Sequence, residues 1–389
     1  MTTVVSILMS DIVPLKDRGM WQGYINIIYA FGAGCGAPLG GLLADSVGWR
    51  WAFMGQAPLC LLAFISVFFV LQLPPKEEKN LKANLNRIDF LGAIVLVCAV
   101  FSMLLGFDRG SNVSWTIPLS YGPLLASPLL FALFILVETK YAREPFAPGH
   151  IIFERALFAG YLCNFFSFAG WLAAIYYIPL YFQAVDGYGA AASGLRLLPA
   201  ILAGVSGSLL AGYLMKRTGK YYWLTVTAYA MLLSGMVLIF LFAGPIRNSV
   251  WGLVSGMVLC GLGNGIGVTT TLIALISNAS PDDQAVTTAC SYLFRSLGSV
   301  IGIALSSTVV QQSLRNNLRR DLGSGERADQ IVQRVRRSLD SIWKLEPEVR
   351  DVVRRCYGHA VRDALGLMIG ITFFALVSSF FIREKRLSR

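Results

Sequence analysis

Arg295 is the side chain in this sequence whose position most demands chemistry. The stretch "SPDDQ" (280–284) reads as a helix start, with Ser280 as cap, Pro281 in the first turn, and Asp282 and Asp283 where the helix dipole favours anions. Arg295 follows 14 residues after Pro281, about 21 Å along that helix at 1.5 Å per residue. Across a bilayer this depth is near the midplane, where a cation costs at least roughly 2.5 kcal/mol. Either the guanidinium snorkels or binds backbone carbonyls, or it faces a cavity and holds a carboxylate. Asn26, Asn164 and Asn264 place uncharged polar groups inside apolar runs. They serve interhelical hydrogen bonds, worth about 0.6 kcal/mol each, or they touch a solute. Trp171, Tyr176 and Tyr177, close together in one segment, line a cavity or pack as aromatics.

Other patterns carry less. "GLGNGIG" (261–267) imitates a phosphate loop, but it has no preceding strand and lies in an uncharged run, 248–281. Gly252, Gly256, Gly263 and Gly267 share a helix face there, which points to close packing. His359 and Asp363 match an HxxxD pair, a common chance spacing, and the other histidine, His150, falls in a loop. Of seven cysteines, six (Cys35, Cys60, Cys98, Cys163, Cys260, Cys290) sit in apolar runs as small packing residues. No catalytic cluster, metal-ligand spacing or cofactor motif emerges, so no enzyme, metal or cofactor is expected.

These residues must be positioned by long apolar elements. The 389 residues are 55% hydrophobic and 14% charged, with a mean hydropathy of +0.61, where soluble domains carry about 25% charge. Uncharged runs occupy 19–44, 51–75, 90–107, 110–137, 156–185, 197–215, 221–246, 248–281 and 364–382. About 20 apolar residues cross the hydrocarbon core, so the chain is read as an all-α polytopic membrane protein. Barrel strands would alternate in polarity, and these runs do not. Ten complete helices are expected, near 19–43, 51–73, 89–107, 118–138, 157–183, 195–215, 222–243, 250–277, 281–311 and 363–382. "MTTVVSILMS" (1–10) reads as the last half of another.

Net charge +11 raises nucleic acid as a partner, but its distribution fits a bilayer instead. Sixteen Lys and Arg fall on one side of the spans, among them Lys16, Arg18, Lys140, Lys216 and Arg217. The short loops opposite hold four: Arg50, Arg109, Arg196 and Arg247. The first side is therefore cytosolic. Segment 74–88 is a polar cytosolic linker, and 311–362 is a long outer or lumenal loop. There Leu314, Leu318 and Leu322, then Ile331, Val335, Leu339 and Ile342, predict amphipathic helices lying on the membrane surface.

Glycine and proline weaken helices in water, yet "GAGCGAPLGGLLADSVGWRW" (32–51) is built from them. Gly32, Gly36 and Gly40, spaced by four, line one face and admit a neighbouring backbone. With Gly23, Pro38 and Gly41 they form a pattern that resembles the antiporter motif in helix five of the major facilitator superfamily. That motif places proline directly after the glycine, where this chain has Ala37 and then Pro38. "SDIVPLKDRGMWQG" resembles the cytosolic link before that helix. "GYLMKRTGKY" (212–221) resembles the superfamily's signature loop, with Gly212, Arg217, Gly219 and Lys220 matching and Lys216 where the loop usually has aspartate. Gly41, Asp45, Gly48 and Arg50 echo it, as internal repeats would.

The helix number, the pair after the linker and the outer loop resemble the fourteen-helix drug:proton antiporter branch. "LISNASPDDQAVTTACSYLFRSLGSVIG" is most similar to fungal vacuolar basic amino acid transporters. The resemblance implies a two-bundle transporter: 1–73 a remnant of the N-terminal bundle lacking about three and a half helices, 89–138 two extra helices, and 157–389 the C-terminal bundle. It implies a monomer in the vacuolar membrane, with the plasma membrane as alternative. Its partners are the bilayer, a small solute and protons. The function implied is proton-coupled antiport of basic amino acids into the vacuole. The alternatives are multidrug or toxin efflux and a truncated, non-transporting membrane protein. The candidate proton carriers lie at span ends, at Asp11, Asp45, Asp89, Asp108, Glu138, Asp186 and Asp363. The chain as given is therefore expected not to drive transport with protons, the coupling acid lying in the implied upstream helices.

Overall fold

The computed structural model describes residues 2–70, 89–141, 145, 147–244, 249–322, 342 and 345–385. Among them every regular element is helical. Helix α1 (Thr2–Ile12) leads through Pro14 into α2 (Leu15–Ser46). The next span breaks at Gly55 into α3 (Trp49–Met54) and α4 (Gln56–Val70). Helices α5 (Phe90–Asn112) and α6 (Pro118–Leu136) form a hairpin, α6 running into a π-helical turn at Val137–Tyr141. The remainder comprises α7 (Gly149–Ile152), α8 (Arg155–Ala184), α9 (Ala190–Leu195), α10 (Leu198–Thr218), α11 (Tyr222–Phe242), α12 (Val250–Asn278), α13 (Gln284–Leu322) and α14 (Pro347–Ser379).

Among the described residues ten helical segments are long and apolar enough to cross a membrane, as the hydropathy runs predict. The linker 74–88 lies outside the described residues. Helices α8 and α10 to α14 pack around one apolar core that includes Trp171, Tyr229, Leu232, Met257 and Leu365. A smaller cluster of Val95, Phe134, Leu157, Tyr161, Leu275 and Cys290 ties the α5–α6 hairpin to α8, α12 and α13.

The ends of the outer segment differ from the sequence expectation. Residues 311–322 continue α13, and 347–362 belong to α14. Leu314 and Leu318 are buried against Val353, Tyr357 and Val361 of α14. The leucine stripe thus seals a helix pair projecting from the membrane rather than lying on it. An apolar stripe at helical spacing serves either partner equally, so periodicity could not choose. Of the second predicted stripe only Ile342, which is buried, falls within the described residues.

Candidate functional site

Arg295 is held by two helices other than its own. Its Nε donates to Asn164 Oδ1 of α8 at 3.1 Å, and its Nη2 donates to the Val268 carbonyl of α12 at 3.2 Å. The rings of Phe168 and Tyr292 lie 5.5 and 5.0 Å from the guanidinium carbon. Close packing makes this reach possible. A Cβ on Gly298 would collide with the Phe165 carbonyl, and one on Gly302 with that of Ala169, so α13 lies against the backbone of α8. Asn164 Nδ2 in turn donates to Ser291 Oγ at 3.0 Å. Tyr292 shares a 2.6 Å hydrogen bond with Ser6 of α1. Arg295 is 5% exposed. Asn264 stands one turn before Val268 on the same face of α12. Its Oδ1 is buried without a partner among the described residues.

A second polar chain reaches α12 from α2. Gln22 donates to Asn26 Oδ1 at 3.4 Å, Asn26 donates to Ser208 Oγ of α10 at 2.7 Å, and Ser208 shares a 2.6 Å bond with Thr269. The two chains meet at neighbouring residues, Val268 and Thr269. Asn26, Asn164 and Arg295 thus belong to one polar seam through the packed helices. Sequence reasoning missed Gln22, Ser208, Thr269 and the Val268 carbonyl. The polar run "TTT" (269–271) inside an apolar span was a signal that was there to be used.

The aromatic trio packs: Trp171 and Tyr177 are buried in the C-terminal core, and Tyr176, 53% exposed, meets the Tyr177 ring edge-on with centroids 5.0 Å apart. His359 accepts from Arg362 Nη2 at 2.7 Å, and Asp363 accepts from Ser313 at 2.5 Å, so the HxxxD residues do not act on each other. All seven cysteines are free thiols.

Helix α2 carries glycine on two opposite faces. A Cβ on Gly23 would meet Leu209 at 2.8 Å, on Gly34 Leu198 at 3.4 Å, and on Gly41 the Ala191 backbone at 2.9 Å. These positions, 11 and 7 residues apart, fall on the face turned to α9 and α10. Gly32, Gly36 and Gly40 meet nothing within 4 Å. Pro38 lies within α2. Gly41→Leu is therefore expected to destabilise the fold by about 1–3 kcal/mol through overpacking. Gly36→Leu is expected to leave it unchanged. Melting in detergent checks the pair, and equal melting temperatures would refute the assignment of faces.

The cytosolic loop has its own logic. Gly219 ends α10 at φ +67°, a left-handed cap that favours glycine. Gly212 is buried within α10, Arg217 lies 4.9 Å over the Tyr213 ring, and the Lys220 N–H donates to Thr218 Oγ1, whose hydroxyl lies within reach of the Lys220 carbonyl. Lys216 pairs with Asp17 of α2 at 2.6 Å, and Arg18 donates to Gln284 of α13 at 2.8 Å. The unusual lysine thus has an acid supplied by another helix. Both partners are more than a third exposed, so the pair contributes at most about 1 kcal/mol. Lys216→Asp should slow transport by about two- to fivefold, and Asp17→Lys in the same chain should restore it. Failure of the double variant to recover would show that the contact does not matter.

The family model of the Major Facilitator Superfamily matches residues 1–303. The vacuolar membrane amino acid uptake transporter fnx2 of Schizosaccharomyces pombe is 38% identical over 388 residues, covering 100% of this chain and 67% of that protein. The multidrug resistance protein fnx1 of the same organism is 34% identical, over 98% of this chain and 72% of its own. The vacuolar basic amino acid transporter 2 of Saccharomyces cerevisiae is 32% identical, over 96% and 81%. In fold, a bacterial homologue of the human lysosomal transporter Spinster, solved inward-facing and unoccupied, superposes with a TM-score of 0.51 at 13% identity, covering 97% of this chain and 74% of that one.

Proposed function

Because the chain belongs to the Major Facilitator Superfamily, we propose that the whole protein exchanges protons for basic amino acids across the vacuolar membrane, as a monomer. That it is an integral membrane transporter follows from its family and its ten spans. The substrate reading rests on one observation: a buried arginine bound to the Val268 carbonyl, with a partnerless buried amide oxygen on Asn264 one helical turn before Val268. An amino acid brings a carboxylate for the donor and an ammonium for the acceptor. The relatives named for amino acid uptake support this choice.

In this reading α1 to α4 belong to an N-terminal bundle (1–73), 74–88 links it onward, α5 and α6 are the inserted pair (89–138) of a fourteen-helix arrangement, and α8 to α14 form the C-terminal bundle (157–389). The polar seam across α2, α10, α12 and α13 then lies where the two bundles rock about a central site.

The test is uptake of labelled lysine and arginine by acidified vacuoles from a strain deleted for the full-length gene, with and without its return. Loss and recovery of uptake support the proposal. Unchanged uptake with altered drug resistance would establish the second reading, efflux, which the 34% identity to a multidrug resistance protein favours.

A further inference from the structure

Among the described residues Glu138 is the buried carboxylate, 4% exposed, in the π turn that ends α6. Its Oε2 accepts from the Ala147 amide at 3.2 Å. Asp89 caps α5, its Oδ1 accepting from the Gly92 amide at 2.9 Å. The other two oxygens, Glu138 Oε1 and Asp89 Oδ2, are both buried, and as carboxylates both lack a partner. They face each other across Gly92, where a Cβ would collide with Asp89 Oδ2 and lie 3.0 Å from Glu138 Oε1. The two carboxyls are close enough to act on each other directly.

A buried acceptor without a donor is costly, and two ionised carboxylates in contact repel. One proton removes both penalties, since an acid O–H donates to the facing carboxylate. A metal ion fits less well, because no group of three ligating side chains occurs among the described residues. No lysine or arginine pairs with either acid there. The charged and titratable groups on the packed elements form no ion pair with either acid among the described residues. These are Lys140 and Tyr141 after α6, His150 of α7 (3.9 Å from Asp283), Glu154, Arg155 and Tyr161 around α8, and Cys290 of α13.

We propose that Asp89 and Glu138 hold one proton between them, a proton-binding site at the end of the α5–α6 hairpin that the basic-residue asymmetry assigns to the cytosol. The regulatory part of this proposal rests on the transporter reading above. On loss of the proton to cytosolic water, the two charges push α6 and the Ala147 strap from α5. That seam is shared with α8 and α13 through Phe134, Ala147, Tyr161 and Cys290. Tyr161 stacks on Phe294, the neighbour of Arg295, at 5.1 Å. Cytosolic alkalinity thereby loosens the helices that hold the arginine.

The intact protein in lipid nanodiscs is examined by infrared spectroscopy through a pH titration. A protonated-carboxyl band is expected at neutral pH, lost on alkalinisation and absent in both Glu138→Gln and Asp89→Asn. Transport is then measured with only the cytosolic pH varied. The neutral-to-alkaline rate ratio is expected to be about fivefold or more in the native protein, within the usual range of coupling between sites, and to fall towards one in Glu138→Gln. A missing band, or one unaffected by either substitution, would overturn the shared proton. A normal band with an unchanged pH profile in Glu138→Gln would overturn the regulatory part. Absence of amino acid transport under all conditions would fault the substrate reading alone, leaving the infrared result to decide the dyad.

Discussion

Arg295→Ala is expected to lower uptake about ten- to a hundredfold at unchanged membrane insertion. The loss corresponds to about one hydrogen bond from a charged donor, worth about 1.5–3 kcal/mol, at about tenfold for every 1.4 kcal/mol, the second bond being offset by water entering the space. The acceptors left behind, Asn164 Oδ1 and the Val268 carbonyl, belong to different helices. Arg295→Lys should also be damaging, by about tenfold, because a point charge cannot reach both acceptors and still offer a donor to a solute. Initial rates against solute concentration, in proteoliposomes matched for protein content, give the answer. Native rates in the lysine variant would mean that charge alone matters and that the planar fork holds nothing.

The second large effect concerns the fold. Gly265→Ala should abolish the well-folded protein, because the added Cβ would fall inside the Gly204 carbonyl and against its Cα at 2.9 Å. Both obstructing atoms are backbone, so no rotamer change relieves the clash, and the cost exceeds the roughly 1–3 kcal/mol of ordinary overpacking. Separating α10 from α12 would also part Ser208 from Thr269. Gly370→Ala in α14, which would meet nothing within 4 Å, is the control. Monodispersity in detergent and the melting temperature compare the two. Equal behaviour would refute the close approach of these helices.

The spans were legible because hydropathy and length report a single transfer energy, summed locally along about 20 residues. The α12 glycines were legible for a similar reason. Gly252, Gly256, Gly263 and Gly267 share one face by spacing, and all four meet α11 residues: Phe242, Ile239, Leu232 and Tyr229. Spacing names a face, however, and not what covers it. For α2 it drew attention to Gly32, Gly36 and Gly40, while the contacts with α9 and α10 use Gly23, Gly34 and Gly41. The partners of Arg295 were beyond local reading, since Asn164 is 131 residues away and is brought near by packing of α8 on α13. Lys216 looked like a departure from a motif until its acid appeared on another helix. Glu138 was visible as an acid at a span end, but its burial and its pairing with Asp89 depend on how the hairpin closes.

Helix α13 is a single lever. Its 39 residues extend about 58 Å at 1.5 Å per residue, well beyond a hydrocarbon layer of roughly 30 Å. Arg295 sits about 17 Å from the cytosolic end, and Leu322, the outer tip, about 57 Å from it. If the rod pivots at its cytosolic end, a swing of about 3.5 Å at the tip moves the arginine's backbone by about 1 Å. That is the scale on which a hydrogen bond forms or fails. A torque applied to the projecting α13–α14 pair, by a binding partner or a crosslink, therefore reaches the guanidinium as mechanical displacement, with no chain of side-chain contacts needed to relay it.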